Sequence, residues 1–437
     1  METYKVQSLD NITNELILSL IERYKLKEVP RLKRLNNYYL GKSDIKNRKM
    51  HDKAKPNNKI ANPFGAYIVD TVQGYFLGKP VTYVSDDEKL MERLQDIYDQ
   101  NHEQSHNSRL GKQLSITGIA YELMYMNESN DIKFAMLDPK EVFMIYDNSI
   151  ETKPLMAVRF YEVHDYVTES SVTNVEVYTD SFIHYYTVGD KDLTLTFEYQ
   201  HYFGEVPVIC YMNNDDAVGD FEKVIDLIDA YDLAVSDTSN SLEYFADSYL
   251  VLTGMGGTDP NDILAMKENR VMLLDDNGKA EWLVKGTSDM QIEEYKDRIK
   301  EDIHTFSHVP NMSDDSFGNA TSGESLKYKL FSLENAVAIK ERMFKKSLEV
   351  RVKLITNILN IKGGSFTPED VDMQFTRNLP SNINEMTELV VKLQGILPQE
   401  TLVGLLPFIS DPAWEIQKLK NEQEDTLYSN FSTDTDE

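Results

Sequence analysis

Cysteine is almost absent: the 437 residues contain only Cys210. A lone thiol excludes an internal disulfide framework and fits a reducing compartment. No apolar run reaches membrane-spanning length, and the stretch 396–409 is interrupted by Pro398 and Pro407. The first residues, Met1-Glu2-Thr3-Tyr4-Lys5, lack the basic-then-apolar pattern of a secretory signal. A soluble chain without a membrane partner is therefore expected, held in a cell or in something assembled inside one. There is no internal repeat and no phosphate loop. Gly74, Gly78 and Lys79 come nearest, but the spacing is one residue short and Pro80 stands where a hydroxyl would hold magnesium. The segment also ends a helix instead of opening one. No nucleophile–base set is present, so neither an enzyme nor a cofactor is expected.

Acid, by contrast, is plentiful. The formal net charge of −28 excludes broad neutralisation of nucleic-acid phosphates. Its distribution is uneven. Residues 22–59 hold thirteen Lys/Arg against four Asp/Glu, which leaves −37 on the rest. Arg31, Lys33, Arg34, Arg48, Lys49, Lys53, Lys55 and Lys59 make this basic island. Such asymmetry predicts complementary faces between subunits or a local contact with DNA. Between 215 and 249 the balance reverses to ten acids and one base, Lys223.

Apolar periodicity predicts an α+β chain. Helices are expected at 10–40, then from a cap at Asn62 with Pro63 first in the helix to a stop at Gly78 and Pro80, and then at about 86–114. From Ile119 to Tyr211 the period becomes two. Eight antiparallel strands are expected, at 119–127, 131–137, 141–146, 155–163, 172–179, 181–188, 193–199 and 206–211. Helix resumes at 215–249 and again at 289–308. Between them lies a small α/β insertion with strands at 249–253, 270–274 and 280–284 and a short helix at 260–268. A polar loop at 311–323 then precedes a Pro- and Gly-free rod, 324–362, whose apolar stripe is broken only by Lys340. Short helices at 382–420 and an acidic, disordered tail close the chain.

His102-Glu103-Gln104-Ser105-His106 matches a metalloprotease pattern. Zinc needs a third ligand on a helical scaffold. Glu122 is the nearest candidate, but 120–127 is expected as strand. A zinc-dependent hydrolase built on this motif is thus the competing expectation. The pair His304 and His308 and the acids Asp314 and Asp315 are expected to be structural or solvated.

The run Lys55-Pro56-Asn57-Asn58-Lys59-Ile60, then Ile68-Val69-Asp70 and Gly74-Tyr75-Phe76-Leu77-Gly78-Lys79-Pro80-Val81, resembles the N-terminal signature of portal proteins. These are the head-to-tail connectors of tailed double-stranded-DNA phages, here of the branch common in phages of Gram-positive bacteria. Ser322-Gly323-Glu324-Ser325-Leu326-Lys327 resembles the family's second signature. The order of elements is similar over roughly 20–420.

The resemblance implies a portal architecture with a wing (1–213), a stem helix (214–249), a clip insertion (250–287) and a second stem helix (288–310). A tunnel loop (311–322), the rod (323–362), a strand returning to the wing (363–380), a crown (381–420) and the tail (421–437) follow. It implies a ring, usually of twelve copies, through which DNA enters the procapsid and later leaves. The implied partners are the terminase large subunit, major capsid and scaffolding proteins, and a head-completion adaptor. The chain would reside at the portal vertex of the virion, and in host cytoplasm during assembly.

Site residues follow in the same way. Asn311, Met312, Ser313, Asp314, Asp315, Ser316, Phe317, Gly318, Asn319, Ala320, Thr321 and Ser322 would lie next to DNA. Glu222, Asp226, Asp229, Asp232, Asp237 and Glu243 would make the stem repel phosphate. Arg270, Asp275, Asp276, Asn277, Lys279 and Trp282 would serve docking at the clip. The basic island would face a neighbouring subunit or packaged DNA.

Overall fold

The computed structural model describes residues 2–52, 55–167, 169–189, 192–246, 250–253, 279–282, 289–312, 327–378, 383–406 and 414–421, with 259, 261, 264 and 409. They form two compact units: Met1–Asn311 with Ser332–Arg377, and Met312–Phe331 with Asn378–Glu437.

The first unit is built on α1 (Asn14–Tyr39). Thr13 caps it, accepting the Leu16 N–H at 3.3 Å. Ile17, Ile21, Tyr24, Leu32 and Leu35 recur at helical spacing and are buried. Ile17, Ile21, Tyr24 and Leu32 share a core with one face of a six-stranded sheet. Its order is β1 (Tyr4–Val6), β5 (Val142–Asp147), β6 (Pro154–Asp165), β7 (Ser170–Tyr178), β8 (Phe182–Val188) and β9 (Leu193–Gln200). β1 runs parallel to β5 and the other pairs are antiparallel. The Tyr24 ring lies 5.3 Å from Phe143, and its hydroxyl donates to the Pro139 carbonyl at 2.6 Å. β1 was not expected; three residues are too few to show a period.

β3 (Ile119–Met126), β4 (Ile132–Leu137) and β10 (Val208–Met212) form a second sheet, ordered β10-β3-β4. The single helix expected near 86–114 is two helices, α3 (Glu88–Asn101) and α4 (Glu103–Thr117). His102, at φ 50°, breaks them apart. Gly118 (φ 80°) ends α4, and a Cβ there would collide with the Ala217 carbonyl, so the loop before the next helix lies tight on α4. α2 spans Phe64–Phe76, one residue later than expected, and Asn62 is not its cap.

α5 is Ile225–Ala246 and α6 is Asp289–Phe306. Residues 215–221, expected as helix, are turns and irregular chain. Between the two helices, β11 (Leu250–Thr253) pairs antiparallel with β12 (Lys279–Trp282). The chain thus leaves and returns as a helical hairpin carrying a ribbon. The expected strand at 270–274 lies outside the described residues.

The rod is α7, Phe331–Ile361. Its 31 residues span roughly 46 Å. Phe344 of α7 meets Phe76 at 5.6 Å and Tyr211 at 5.1 Å. β13 (Asp372–Gln374) returns to pair with β2 (Thr82–Val84). The second unit holds α8 (Ile383–Leu393), α9 (Gln399–Gly404) and helical residues at 327–329 and 414–421. The tail beyond 421 lies outside the described residues.

Phe344→Ala should leave a cavity where α2, α7 and β10 meet. The expected loss is about 3–5 kcal/mol, read as a large fall in thermal midpoint.

Candidate functional site

The α5–α6 hairpin is held by a segment that has no helix or strand of its own. Residues 56–63 run along α5 in the opposite direction. The Asn58 N–H donates to Asn240 Oδ1 at 2.6 Å, the Ile60 N–H to Ser236 Oγ at 3.0 Å, and the Asn62 N–H to Asp232 Oδ1 at 2.8 Å. Every second amide of the strap meets one side chain per turn of the helix. The Asn62 side chain joins in, also donating to Asp232 at 2.8 Å. It is consumed there and does not cap α2. Asp232 is fully buried and takes a further hydrogen bond from Ser43.

The same clasp joins the basic island to the acids expected in the stem. Arg31 grips Glu222 with two hydrogen bonds of 2.6 Å and also donates to the Ala217 carbonyl. Asp229 accepts from Tyr38 at 2.6 Å and from Arg34 at 3.1 Å. Burial pushes the Asp229 carboxyl up, against the pull of Tyr38 and Arg34. Arg48 meets Asp237 at 2.5 Å, and Asn58 donates to Glu243 at 2.7 Å. Of the six stem acids, Asp226 remains exposed outside this clasp. Arg31, Arg34 and Arg48 are thus turned onto their own chain. Lys33, Lys49 and Lys55 stay exposed, while Lys59 and Lys46 each donate to the other's carbonyl. Lys53 lies outside the described residues.

The His-Glu motif does something other than bind metal. His102 is exposed in the α3–α4 break, while Glu103 and His106 point into the core. There they meet Arg351 of α7, whose side chain is fully buried. Arg351 donates to Glu122 at 3.0 Å and to Asn107 at 2.8 Å, and lies 3.2 Å from Glu103. Tyr211 donates to Glu122 at 2.6 Å and Tyr83 to Glu103 at 2.5 Å. His106 Nε2 lies 2.9 Å from Glu122 Oε1, as does Arg351 Nη2. Neither of these two close contacts has hydrogen-bond alignment. Burial alone would raise the Glu122 carboxyl, but Arg351 and His106 more than offset this and hold it down at about 2. A guanidinium fills the place a cation would need, and no His/Cys/Asp/Glu group fit for a metal exists among the described residues. The zinc expectation is therefore corrected: Glu103, His106 and Glu122 form a buried ion cluster.

Lys340, the break in the rod's stripe, is buried too. Its amine lies 2.9 Å from Asp220 and also donates to Ser115. Burial pushes this amine down, opposed by Asp220. Arg351 was missed in the sequence because nothing in its spacing separates a buried arginine from a solvated one. Lys340 gave a signal, being the one polar residue on an apolar face. Of the expected tunnel loop, Asn311 and Met312 are described and 313–322 lie outside the described residues. Of the expected clip positions, Lys279 and Trp282 fall in β12; Arg270, Asp275, Asp276 and Asn277 lie outside.

Two outcomes follow from these contacts. Ser236→Ala should leave the Ile60 amide without an acceptor and speed its hydrogen exchange at least tenfold, with the Asn62 amide still protected; equal rates in both proteins would refute the strap. Glu122 is ionised more easily folded than unfolded, so its stabilisation is complete above its ordinary value of 4.5 and is lost as pH falls through about 2. Arg351→Met removes the cation and strands the buried carboxylates. It should cost about 3–5 kcal/mol at neutral pH and move the acid-unfolding midpoint upward.

Comparison with known proteins places this geometry. The chain is 25% identical over 442 residues to the portal protein of Bacillus phage SPP1, covering 96% of this chain and 86% of that one. It is 25% identical over 432 residues to the portal protein of Clostridium phage phiCD119, covering 91% and 93%. A solved structure, the neck of an empty GTA particle computed with C6 symmetry, aligns with a TM-score of 0.47 at 13% identity over 80% of this chain and 88% of that one. Residues 18–427 match the family described as phage portal protein, SPP1 Gp6-like. The strap, the hairpin and the rod all fall inside that span, and the chain belongs to this phage portal family.

Proposed function

We propose that the chain is one subunit of the portal ring, usually of twelve copies, that carries double-stranded DNA into the procapsid and out again. The observation that carries this reading is the family match over residues 18–427, nearly the whole chain. The ring sits at a vertex of the virion and is assembled in host cytoplasm. The first 213 residues form the wing, α5 and α6 the stem, 250–287 the clip, 311–322 the tunnel loop, and 381–420 the crown. Docking at the clip, through Arg270, Asp275, Asp276, Asn277, Lys279 and Trp282, engages the terminase large subunit and then a head-completion adaptor. Major capsid and scaffolding proteins are further partners. The subunit catalyses nothing itself; the terminase supplies the energy.

The strap sharpens the account of the stem. A passage for duplex must not gather cations that trap phosphate. Glu222, Asp229 and Asp237 are paired with Arg31, Arg34 and Arg48 of the basic island, and Asp232 and Glu243 are taken up by Ser43, Asn58 and Asn62. The repelling charge then falls to Asp226 and to the exposed acids of α6, Glu293, Glu294, Asp297 and Glu301. The small, polar loop 311–322 touches the duplex without gripping it.

Purified protein should sediment at about twelve times the 50.3 kDa chain mass and show annuli in negative stain. A monodisperse lone chain at working concentration would sink the reading.

A further inference from the structure

The wing has two unpartnered faces on opposite sides of one two-layer unit. One is the outer face of the six-stranded sheet. Arg159 stands opposite Glu176, Glu176 opposite Tyr185, and Tyr185 opposite Phe197, so this row shares one face across β6, β7, β8 and β9. Phe160, one residue on, sits on the other face against Tyr24 of α1 at 6.1 Å. The row therefore points away from α1. Its polar centre is closed: Glu176 accepts from Arg159 at 3.0 Å, Tyr161 at 2.9 Å and Tyr178 at 2.5 Å. Ala157, Tyr178 and Ile183 of the same face are buried, and the face opens at the β6–β7 tip and toward β9. Phe197 is 60% exposed, and Tyr199, Val163 and Val172 nearly half exposed. β9 is also an edge strand, exposed along most of its length. An open edge beside an aromatic face is a surface that proteins cover.

The second face is the outer stripe of α1. Leu26, Pro30, Lys33 and Asn37 are exposed at steps of four and three, opposite the buried face, with Leu40 just past the helix end. Leu26 is 76% exposed and Leu40 61%. Lys33 and Lys42 are exposed along this stripe, and Asp165 and Glu169 are exposed at the β6–β7 tip of the sheet. Both faces carry exposed apolar side chains, and their exposed charges are opposite, Lys33 and Lys42 against Asp165 and Glu169.

We propose that the α1 stripe of one copy packs on the outer sheet face of the next, head to tail. The proposal rests on the ring reading. A closed ring of identical subunits needs two different complementary faces on each copy, and these two lie back to back. Phe197, Tyr199 and Tyr185 are the rigid anchors, of the residue types that dominate such contacts, and Leu26 and Leu40 fill the spaces between them. Lys33 approaches the aromatic rings.

Two full-length variants test it, Phe197→Glu and Leu26→Glu, each altering one exposed side chain. Native mass spectrometry and sedimentation are read on each variant alone and on their equimolar mixture. Each alone should lose the ring, with at least a tenfold fall in assembled fraction. The mixture should give dimers of one copy of each, because the Phe197→Glu copy keeps its helix face and the Leu26→Glu copy its sheet face. It should not close rings. Wild-type rings alongside normal rings from either variant overturn the interface alone. So do monomers in both variants with no dimer on mixing. Normal Phe197→Glu rings that fail to enter heads assign the sheet face to the capsid, and overturn it too. A wild-type chain that never assembles overturns the ring reading, and this contact with it.

Discussion

Two repeat distances that nearly coincide hold residues 56–63 along α5. Two residues of extended chain advance about 6.6 Å, and four residues of helix about 6.0 Å. That match lets Asn58, Ile60 and Asn62 lay their amides on Asn240, Ser236 and Asp232 without strand pairing. A buried irregular segment otherwise strands its amides, at a cost of about 1–3 kcal/mol each. Here the helix supplies the acceptors, and the strap follows α5 wherever it goes. Arg31, Arg34 and Arg48 then have fixed partners along the same helix. The clasp makes one body of segments that lie some 180 residues apart in the chain.

The second constraint is the buried Arg351. A guanidinium taken out of water is tolerated only if its donors are met and its charge balanced. Glu122 and Glu103 balance it, Asn107 takes a further N–H, and the Phe134 ring lies under it at 4.9 Å. This explains two features at once. α3 and α4 break at His102 because Glu103 must turn into the core, which one continuous helix from Glu88 would not allow. Glu122 sits in a strand with its side chain fully buried because its partner comes from α7, 229 residues later. A short His-Glu motif is compatible with a metal or with an ion cluster. The residue that decides between them has no sequence relation to the motif.

What was legible follows the same logic. The strands from 119 to 211 were readable to within about two residues, because alternation over six or more positions is a strong signal. α1, the hairpin that leaves and returns around an insertion, and the long rod were readable for the same reason. β1 and β2 were not, since three residues carry no period and each needs a partner over 100 residues away, whereas β13 falls within the strand expected to return at 363–380. The Asn62 cap failed because an asparagine before Pro63 has the right local chemistry, and only the fold shows its side chain already spent on Asp232. Charge was legible as amount and not as pairing. Thirteen bases in 22–59 and ten acids in 215–249 read as two free faces until the strap brings them together.

That pairing changes where repulsion toward duplex must come from. A carboxylate in a bidentate pair with arginine contributes little field beyond a Debye length, about 8 Å at physiological salt. Glu222 with Arg31 is such a pair, and Asp229 and Asp237 have arginines beside them too. What reaches across a channel is the unbalanced remainder. On α6 that remainder is acidic: Glu293, Glu294, Asp297 and Glu301 are exposed, and Lys296 and Arg298 only partly offset them through pairs one turn away. Around a ring this surplus repeats in every copy and the fields add along the axis. The internally paired acids of α5 set how rigidly that surface is held, while α6 sets its sign. One helix of the hairpin is thus occupied with structure, and the unbalanced acid lies on the other.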